Sequence, residues 1–218
     1  MGTVFLLGDS TCATKMPNAW PEAGWGMCFA PFLAWGWRLD NRAVNGLSSR
    51  LALSGGVFER LASSLSSGDW VVIQFGHNED KPDEARHTWP WTTYGENLAY
   101  MITRIRMKGA FPVLLSSIER RRFREGKAYD TLGEYPWAMA AVAVRLGVPF
   151  FDLTTPTLHL LDALGEEASR RLFNQGIWPN YPDGVEDNTH LSLYGAECIA
   201  GMAARLLSSL PFINSDMR

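Results

Sequence analysis

Short apolar runs that alternate with amphipathic segments constrain the fold of this chain more than any other feature. The predicted strands are Thr3–Leu7, Arg42–Asn45, Trp70–Phe75, Pro112–Ser116 and Val148–Leu153. The predicted helices are Val57–Leu65, Gly95–Met107, Tyr135–Leu146 and Ser192–Leu210. Strands that alternate with helices of about 10–15 residues form right-handed βαβ units around a parallel sheet. The sequence therefore predicts an α/β protein whose central parallel sheet is covered on both faces.

The length and composition fit a single domain over residues 1–218. A domain typically holds roughly 100–200 residues, and this chain has 218. Hydrophobic residues make up 46% of it and charged residues 20%, a balance typical of a chain that buries a full core without disulfides. No internal repeat, low-complexity tract or linker divides the sequence.

Three of the predicted strands end in polar or glycine-containing turns. These turns are Gly8–Ser10, Asn45–Gly46 and Gly76–Asn78. In open parallel sheets, ligands bind beyond the carboxyl ends of the strands. We therefore expect the three turns to line one rim, and we expect that rim to be an active site.

Ser10 is either a helix N-cap or a nucleophile, because both roles suit a serine at the end of a buried strand. A nucleophilic serine needs a general base within hydrogen-bond reach. His190 is the candidate base, and Asp187 can fold back within one turn to orient its imidazole. Asp187 or Thr189 can also cap the final helix, and the two roles are compatible. Placement alone leaves the role of Ser10 open.

An acyl-transfer site also needs hydrogen-bond donors for the oxyanion. Gly46 has no Cβ, so its backbone N–H can approach a ligand closely. Asn78 offers a side-chain amide at the end of a central strand, and the Ser10 backbone N–H would be a third donor. Taken singly, Gly46 and Asn78 are more often ordinary turn residues.

The sequence contains no motif typical of phosphate binding, of an α/β-hydrolase serine or of a zinc site. It contains no GxxxxGK[ST] P-loop, no GxSxG elbow and no HExxH pair, and its four histidines are scattered. We therefore expect neither a metal nor a cofactor. The formal charge of −3 argues against a nucleic-acid partner. No apolar run reaches the ~18 residues of a membrane span, so we expect no membrane partner either.

The cysteines and the N-terminus bear on localisation. Cys12, Cys28 and Cys198 are odd in number and form no CxxC pair, which favours a reducing compartment. No basic segment followed by an apolar one precedes Thr3–Leu7, as it would in a signal peptide. We expect a cytoplasmic protein, or a secreted one if the chain begins after a removed signal. The sequence leaves the oligomeric state unknown.

Four short blocks, taken in order, resemble the SGNH, or GDSL-type, hydrolase family. They are Gly8–Thr11, Gly46, Gly76–Asn78 and Asp187–His190, and the resemblance runs from residue 3 to about residue 200. It implies a flavodoxin-like three-layer α/β/α sandwich, the SGNH hydrolase fold.

The same resemblance implies a role for each residue of the blocks. Ser10 would be the nucleophile, His190 the base and Asp187 the residue that orients it. The oxyanion hole would consist of the backbone N–H groups of Ser10 and Gly46 and the side-chain amide of Asn78.

Finer details are similar to the rhamnogalacturonan acetylesterase branch of that family. They are the GDST form of the first block, the runs Asn41–Arg50 and Ile73–Asn78, and His190–Ser192 followed by Tyr194–Ala196. Glu79 stands where that branch usually has Asp, and Leu47 where it often has Arg. The similarity implies a serine esterase that removes acetyl groups from pectic, rhamnogalacturonan-type oligosaccharides through an acyl-serine intermediate.

The chain has nine tryptophans, an unusual number. Indoles on active-site loops combine a large apolar face with a polar edge and can stack on sugar rings, although most tryptophans pack loops onto a core. The residues expected to bind the acetylated oligosaccharide are Asp9, His77, Trp89, Trp91 and Trp178.

Two other functions compete with the esterase. A lipid or thioester hydrolase on the same fold would need a long pocket of aliphatic side chains, whereas these loops carry Trp, Pro, Asn and charge. A non-catalytic sugar-binding module would need none of Ser10, Asp187 and His190. The carbohydrate esterase is therefore the leading hypothesis.

Overall fold

Strands and helices alternate along the chain as the sequence predicts. A computed structural model describes residues 2–217, so Met1 and Arg218 of the predicted domain lie outside the described residues. The strands are β1 (Thr3–Gly8), β2 (Glu22–Ala23), β3 (Arg38–Asn41), β4 (Trp70–Gln74), β5 (Phe111–Leu115), β6 (Phe123–Arg124), β7 (Lys127–Ala128), β8 (Phe150–Phe151), β9 (Phe173–Trp178) and β10 (Tyr181–Ser192). The helices are α1 (Ser49–Ser54), α2 (Val57–Ser64), α3 (Gly95–Met107), α4 (Tyr135–Leu146), α5 (Thr154–Ala168) and α6 (Leu193–Leu206). Within residues 2–217, no helix is long and apolar enough to cross a membrane.

Five of the strands form the central parallel sheet, in the order β3-β1-β4-β5-β8. The chain leaves β1 to add β3 on one side and then returns to add β4 on the other. This reversal is a topological switch point, and the order is that of flavodoxin-like sheets. The predicted α/β fold class is confirmed. Ligands of such sheets bind at the switch point, which here lies at the carboxyl ends of β1 and β4.

The sheet has an apolar core on each face. Successive side chains of a strand point to opposite faces, so Leu6 of β1 joins one core and Leu7 joins the other. The first core contains side chains of α5 and α6, and the second contains side chains of α1, α2, α3 and α4. The result is a three-layer α/β/α sandwich.

Some predicted boundaries are wrong. The edge strand is Arg38–Asn41, not Arg42–Asn45, although the N–H groups of Arg42 and Val44 still bond to the carbonyls of Leu6 and Gly8. A strand at the edge tolerates polar side chains, so β3 lacks the apolar run used to find strands. The predicted strand Val148–Leu153 shrinks to Phe150–Phe151, and the last α-helix ends at Leu206 before a short 3₁₀ turn.

A second, antiparallel sheet was not predicted from the sequence. Its strand order is β2-β10-β9, and β9 and β10 form a long hairpin. Glycine, proline and charged residues interrupt the hairpin, which hides the alternation typical of a strand. β10 contains both Asp187 and His190. Helix α5 was also missed.

Two glycines of α6 give a test of the packing between α6 and the preceding segment. A Cβ at Gly195 would overlap the carbonyl oxygen of Leu172, a backbone atom that cannot move aside. At Gly201 the nearest atom to a Cβ is Cζ of Phe32, at 3.6 Å. We expect Gly195→Ala to lower the free energy of unfolding by about 1–3 kcal/mol. Gly201→Ala should leave it unchanged or raise it by about 0.5–1 kcal/mol.

Urea unfolding of the two variants and the wild type measures both free energies. Equal destabilisation by the two substitutions would contradict the packing described for α6.

Candidate active site

The turn after β1 is held by buried hydrogen bonds. The carboxylate of Asp9 accepts the Thr11 backbone N–H at 2.9 Å and the Gln74 Nε2–H at 3.1 Å. Gln74 is the last residue of β4, so these bonds join the ends of the two strands at the switch point. Ser10 lies between the anchored residues, and its backbone is therefore fixed at the rim of the sheet.

The structure brings Ser10, His190 and Asp187 into one hydrogen-bonded line. His190 Nε2 lies 2.9 Å from Ser10 Oγ, and His190 Nδ1 lies 2.6 Å from Asp187 Oδ2. Asp187 Oδ1 also accepts the backbone N–H groups of Thr189 and His190, at 2.7 and 2.9 Å. The carboxylate thus organises the turn that presents the imidazole. A serine, an imidazole and a carboxylate in this relation can perform acyl transfer.

Polar side chains from two neighbouring segments hold the loop that contains Asp187. Gln175 of β9 donates from Nε2 to the Asn188 side-chain oxygen at 2.6 Å and to the Asp187 carbonyl at 3.3 Å. Arg121 donates to the same Asn188 oxygen at 2.7 Å, and its backbone N–H bonds to the Asn188 carbonyl at 2.8 Å. The loop therefore has anchors on both sides.

The interaction between Asp187 and His190 makes the imidazole of His190 more basic. Burial lowers the pKa of His190, but the hydrogen bond and charge of Asp187, with the charge of Glu22, outweigh burial and raise the pKa above its usual value. Burial alone would raise the pKa of Asp187. The hydrogen bonds between Asp187 and His190 outweigh burial, and the pKa of Asp187 is lowered. Asp187 therefore remains a carboxylate while His190 accepts a proton.

Three hydrogen-bond donors lie in the segments that follow β1, β3 and β4. The backbone N–H groups of Ser10 and Gly46 have no acceptor within residues 2–217. Gly46 has a φ of +73°, and a Cβ there would touch nothing within 4 Å, so the turn opens onto free space. Asn78 uses one amide hydrogen to hold the Leu47 carbonyl at 3.1 Å. The other hydrogen of the same NH₂ group remains for a ligand.

Glu79 connects two of the segments that supply these donors. It is fully buried, its Oε1 accepts the Ser49 N–H at 2.7 Å, and its Oε2 accepts the Asn78 N–H at 3.1 Å. Burial raises the pKa of Glu79 to about 8, against the lowering effect of these two bonds. The side chain thus fixes the Gly46 loop relative to Asn78.

A buried lysine connects the Gly46 loop to the strand beside His190. Lys15 Nζ lies 2.7 Å from Glu22 Oε1 and donates to Asn45 Oδ1 at 2.6 Å. Asn45 precedes Gly46, and Glu22 lies on β2, which pairs with β10 directly after His190. One ion pair therefore ties the Gly46 loop to the part of the chain that carries His190.

Two of the residues expected to bind substrate are corrected by their burial. Asp9 has 0% of its surface exposed and His77 has 2%. Both carboxylate oxygens of Asp9 are used by Thr11 and Gln74. Burial lowers the pKa of His77 to about 4, so its ring is neutral, and Nε2 lies 2.8 Å from the Ile118 carbonyl. Asp9 is thus a buried support of the turn that carries Ser10, and His77 is buried next to Asn78.

The three tryptophans that were expected to bind substrate lie in different parts of the structure. Trp89 is exposed and packs edge-to-face against His87, and Trp91 lines a groove between α3 and α4. Trp178 of β9 packs edge-to-face against Trp20 in a groove beside the hairpin that contains Asp187 and His190. Of the three, Trp178 is the one that belongs to the same hairpin as Asp187 and His190.

Sequence reasoning missed the residues that hold the site together. Gln74, Lys15, Glu22 and Gln175 were not singled out, because no local motif marks a glutamine or lysine that becomes buried. A polar residue as the last member of an otherwise apolar strand, as Gln74 is, would have been a usable signal. Within the described residues, no group of three His, Cys, Asp or Glu side chains converges as a metal site would.

Comparisons with known proteins agree with this geometry. The family model of the GDSL-like lipases and acylhydrolases matches residues 6–197. Rhamnogalacturonan acetylesterase RhgT of Bacillus subtilis is 42% identical to this chain over 214 residues, 95% of this chain and 90% of that protein. The probable rhamnogalacturonan acetylesterase YesY of the same organism is 30% identical over 95% of this chain and 93% of that protein.

Solved structures share the fold at lower identity. The Bacillus subtilis protein YXIM superposes with a TM-score of 0.80 and 22% identity over 95% of this chain, which spans 56% of that protein. Axe2, an acetylxylan esterase from Geobacillus stearothermophilus, superposes with a TM-score of 0.65 and 18% identity over 98% of this chain and 96% of that one. The family model covers most of the sequence and includes every residue of the Ser10–Asp187–His190 line, and the chain therefore belongs to the GDSL-like lipase/acylhydrolase family.

Proposed function

We propose that this protein is a serine esterase that removes acetyl groups from carbohydrate, with acetylated rhamnogalacturonan-type (pectic) oligosaccharides as its substrates. The observation that carries the proposal is the 2.9 Å contact between Ser10 Oγ and His190 Nε2, beside backbone donors that have no acceptor within residues 2–217. The choice of sugar rests on the two relatives named as rhamnogalacturonan acetylesterases.

In the first half of the reaction, His190 Nε2 takes the proton of the Ser10 hydroxyl as Oγ attacks the acetyl carbonyl. Asp187 stabilises the imidazolium that forms. The negative charge that develops on the carbonyl oxygen is bound by the N–H groups of Ser10 and Gly46 and by the Asn78 amide. His190 then gives its proton to the departing sugar oxygen, and the acetyl group remains on Ser10.

In the second half, water replaces the sugar. His190 takes a proton from the water, and the hydroxyl oxygen attacks the acetyl-serine carbonyl. The same donors bind the second oxyanion. The bond to Ser10 Oγ then breaks, Oγ recovers the proton from His190, and acetate leaves. The reaction consumes one ester and one water and needs no cofactor.

The surroundings of the triad favour a sugar ester over a long acyl chain. The groove beside β10 is lined by four aromatic side chains (Trp20, Phe173, Trp178 and Tyr194), three polar ones (Arg171, Gln175 and Ser192), Pro21 and a single aliphatic side chain, Leu193. A long-chain acyl group would need a continuous aliphatic lining instead. This is the ground on which we prefer the carbohydrate substrate to a lipid or thioester.

We also place the enzyme in the cytoplasm, acting on imported oligosaccharides. Cys12, Cys28 and Cys198 are all free thiols, which supports a reducing compartment. This placement is separate from the catalytic proposal and does not affect it.

The pH dependence of kcat/KM tests the role of His190. The pKa of His190 is raised above the reference of about 6.5, and only the neutral imidazole accepts the serine proton. We therefore expect kcat/KM to rise with pH through a pKa above that reference and then to level off. Asp187→Asn removes the charge that raises the pKa, so the rise should move to lower pH and the plateau should fall by about 10⁴-fold. A flat wild-type profile between about pH 5 and 9 would exclude His190 as the base.

Removal of the Asn78 amide tests the oxyanion hole. Because this donor acts mainly in the transition state, we expect Asn78→Ala to lower kcat by roughly 10²–10³-fold with little change in KM. Asn97→Ala is the matched control, since Asn97 donates to Ser49 Oγ of the neighbouring helix at 3.2 Å without reaching the rim. Steady-state kinetics with an aryl acetate measure both. If KM rises while kcat stays at the wild-type value, Asn78 binds substrate and is no oxyanion donor.

A substrate panel tests the proposed activity. We expect faster acetate release from acetylated rhamnogalacturonan oligosaccharides than from acetylated xylo-oligosaccharides. We also expect p-nitrophenyl acetate to react faster than longer p-nitrophenyl esters, because no aliphatic channel receives the chain. Ser10→Ala is the control for contaminating esterase and should release no acetate above background. Faster cleavage of octanoate than of acetate would favour a lipid or thioester hydrolase.

A further inference from the structure

The backbone N–H of Gly46 belongs to a tight turn. The Val44 carbonyl accepts the Leu47 N–H at 3.2 Å, which closes a β-turn with Asn45 and Gly46 at its centre. Gly46 has a φ of +73°, whereas the φ of Asn45 is not positive. A β-turn in which the third residue alone has a positive φ is a type II turn.

The peptide unit between Asn45 and Gly46 has two opposite orientations open to it. Type I and type II turns differ by about 150° in the ψ of the second residue and by about 170° in the φ of the third. A change from one type to the other therefore turns the central peptide over while the ends of the turn stay in place. The Gly46 N–H is part of this peptide unit. A contact that fixes Asn45 therefore also fixes the direction of the Gly46 N–H.

Lys15 makes such a contact with the side chain of Asn45. Lys15 Nζ donates to Asn45 Oδ1 at 2.6 Å and lies 2.7 Å from Glu22 Oε1. Only 2% of the Lys15 side chain is exposed, and 15% of the Glu22 side chain. Glu22 is paired with Ser192 in the ladder between β2 and β10. The ammonium is thus attached to the second sheet, and through it the exposed side chain of Asn45 is attached as well.

Stability alone does not account for a buried ion pair at this position. Taking an ammonium and a carboxylate out of water costs about as much free energy as their attraction returns, and apolar replacement of such a pair is often neutral or stabilising. Two apolar side chains of similar size would fill the same space, but they would offer Asn45 no hydrogen bond. What the charged pair adds is a directed bond to the turn.

We propose that Lys15 is a positioning residue for acyl transfer, and that it holds the Gly46 turn in the orientation in which the Gly46 N–H binds the oxyanion. Glu22 compensates the charge of the ammonium and attaches it to β2. Lys15 acts through Asn45 and takes no part in the bond changes. The inference rests on the proposed esterase function, in which Gly46 is an oxyanion donor, and it names the residue on which that donor depends.

Replacement of the ion pair by an apolar pair tests the proposal. Lys15→Met/Glu22→Leu removes the directed hydrogen bond without leaving an unpaired charge. We expect kcat for p-nitrophenyl acetate to fall by about 10- to 100-fold, less than the roughly 10²–10³-fold loss of a whole donor, because the turn still adopts the active orientation part of the time. KM should change little, since the donor acts mainly in the transition state. The urea midpoint should stay close to that of the wild type.

Two further readouts separate positioning from general damage. Burial and Asp187 have the largest effects on the pKa of His190, and beside them Glu22 raises this pKa and Lys15 lowers it. Joint removal of the two opposite charges should therefore leave the pH at which kcat/KM rises near the wild-type value. A boronic acid forms a tetrahedral anion on a serine nucleophile and mimics the oxyanion. Its inhibition constant should rise by the same factor as kcat falls.

A second variant removes the acceptor of the same hydrogen bond. Because Asn45 is exposed, Asn45→Ala should fold normally, and we expect the same loss of kcat. Added to the apolar pair, it should cause no further loss, since both changes remove one contact. Arg42→Met/Asp40→Leu is the matched control, because the Arg42 guanidinium bonds to Asp40 in its own stretch of chain. The control should keep the wild-type kcat.

Wild-type kcat in either the apolar-pair variant or Asn45→Ala would overturn the role of Lys15. So would losses that add in the combined variant, or an equal loss in the control. If the apolar pair prevents folding, Asn45→Ala decides alone. A wild type that does not hydrolyse the aryl acetate, or an equally active Ser10→Ala, refutes the proposed esterase function and the positioning role with it. Hydrolysis that depends on Ser10 but not on Lys15 and Asn45 refutes the positioning role alone.

Discussion

The hydrogen bond between the Asp9 carboxylate and the Gln74 side chain joins the ends of β1 and β4, and the rest of the site depends on it. Gln74 also donates to Ser117 Oγ after β5 at 2.6 Å and accepts from the indole N–H of Trp25 at 3.1 Å. One buried amide thus fixes the ends of three parallel strands relative to one another. A buried polar network that is fully hydrogen-bonded specifies a single arrangement, since any slip would leave a polar atom unpaired. Ser10 and Asn78 emerge from this fixed rim.

The other residues of the candidate site come from outside the central sheet and are attached to its rim by an ion pair and a hydrogen bond. The β9–β10 hairpin delivers Asp187 and His190, and β2 connects it to the first part of the chain. The Lys15–Glu22 pair then ties the hairpin side to Asn45 and so to Gly46. The residues that we propose as nucleophile, base and oxyanion donors therefore belong to one connected network, although they lie far apart in the sequence.

The sequence predicts those parts of the molecule whose signal is local. β1, β4, α3 and α4 were recognised because apolar periodicity and Gly caps mark them, and Gly147 after α4 has the left-handed φ of +58° that a C-cap favours. Edge strand β3 and the β9–β10 hairpin were not predicted correctly, because their polar side chains interrupt the apolar periodicity that marks a strand. Ser10, Asp187 and His190, which the structure brings together, were singled out in the sequence because their residue types are chemically distinctive. Asp9 and His77 were expected to bind substrate, because the sequence alone does not show that the packing of distant segments buries them.

The central claim is that Ser10 is a nucleophile activated by His190, and covalent labelling tests it most directly. The purified enzyme would be treated with a serine-directed fluorophosphonate, and the modified residue identified by peptide mass spectrometry. The account predicts a single adduct on Ser10, no adduct in Ser10→Ala, and much slower labelling in His190→Ala, because the serine hydroxyl then has no base. An adduct on another residue of the active enzyme, or labelling of His190→Ala at the wild-type rate, would contradict it.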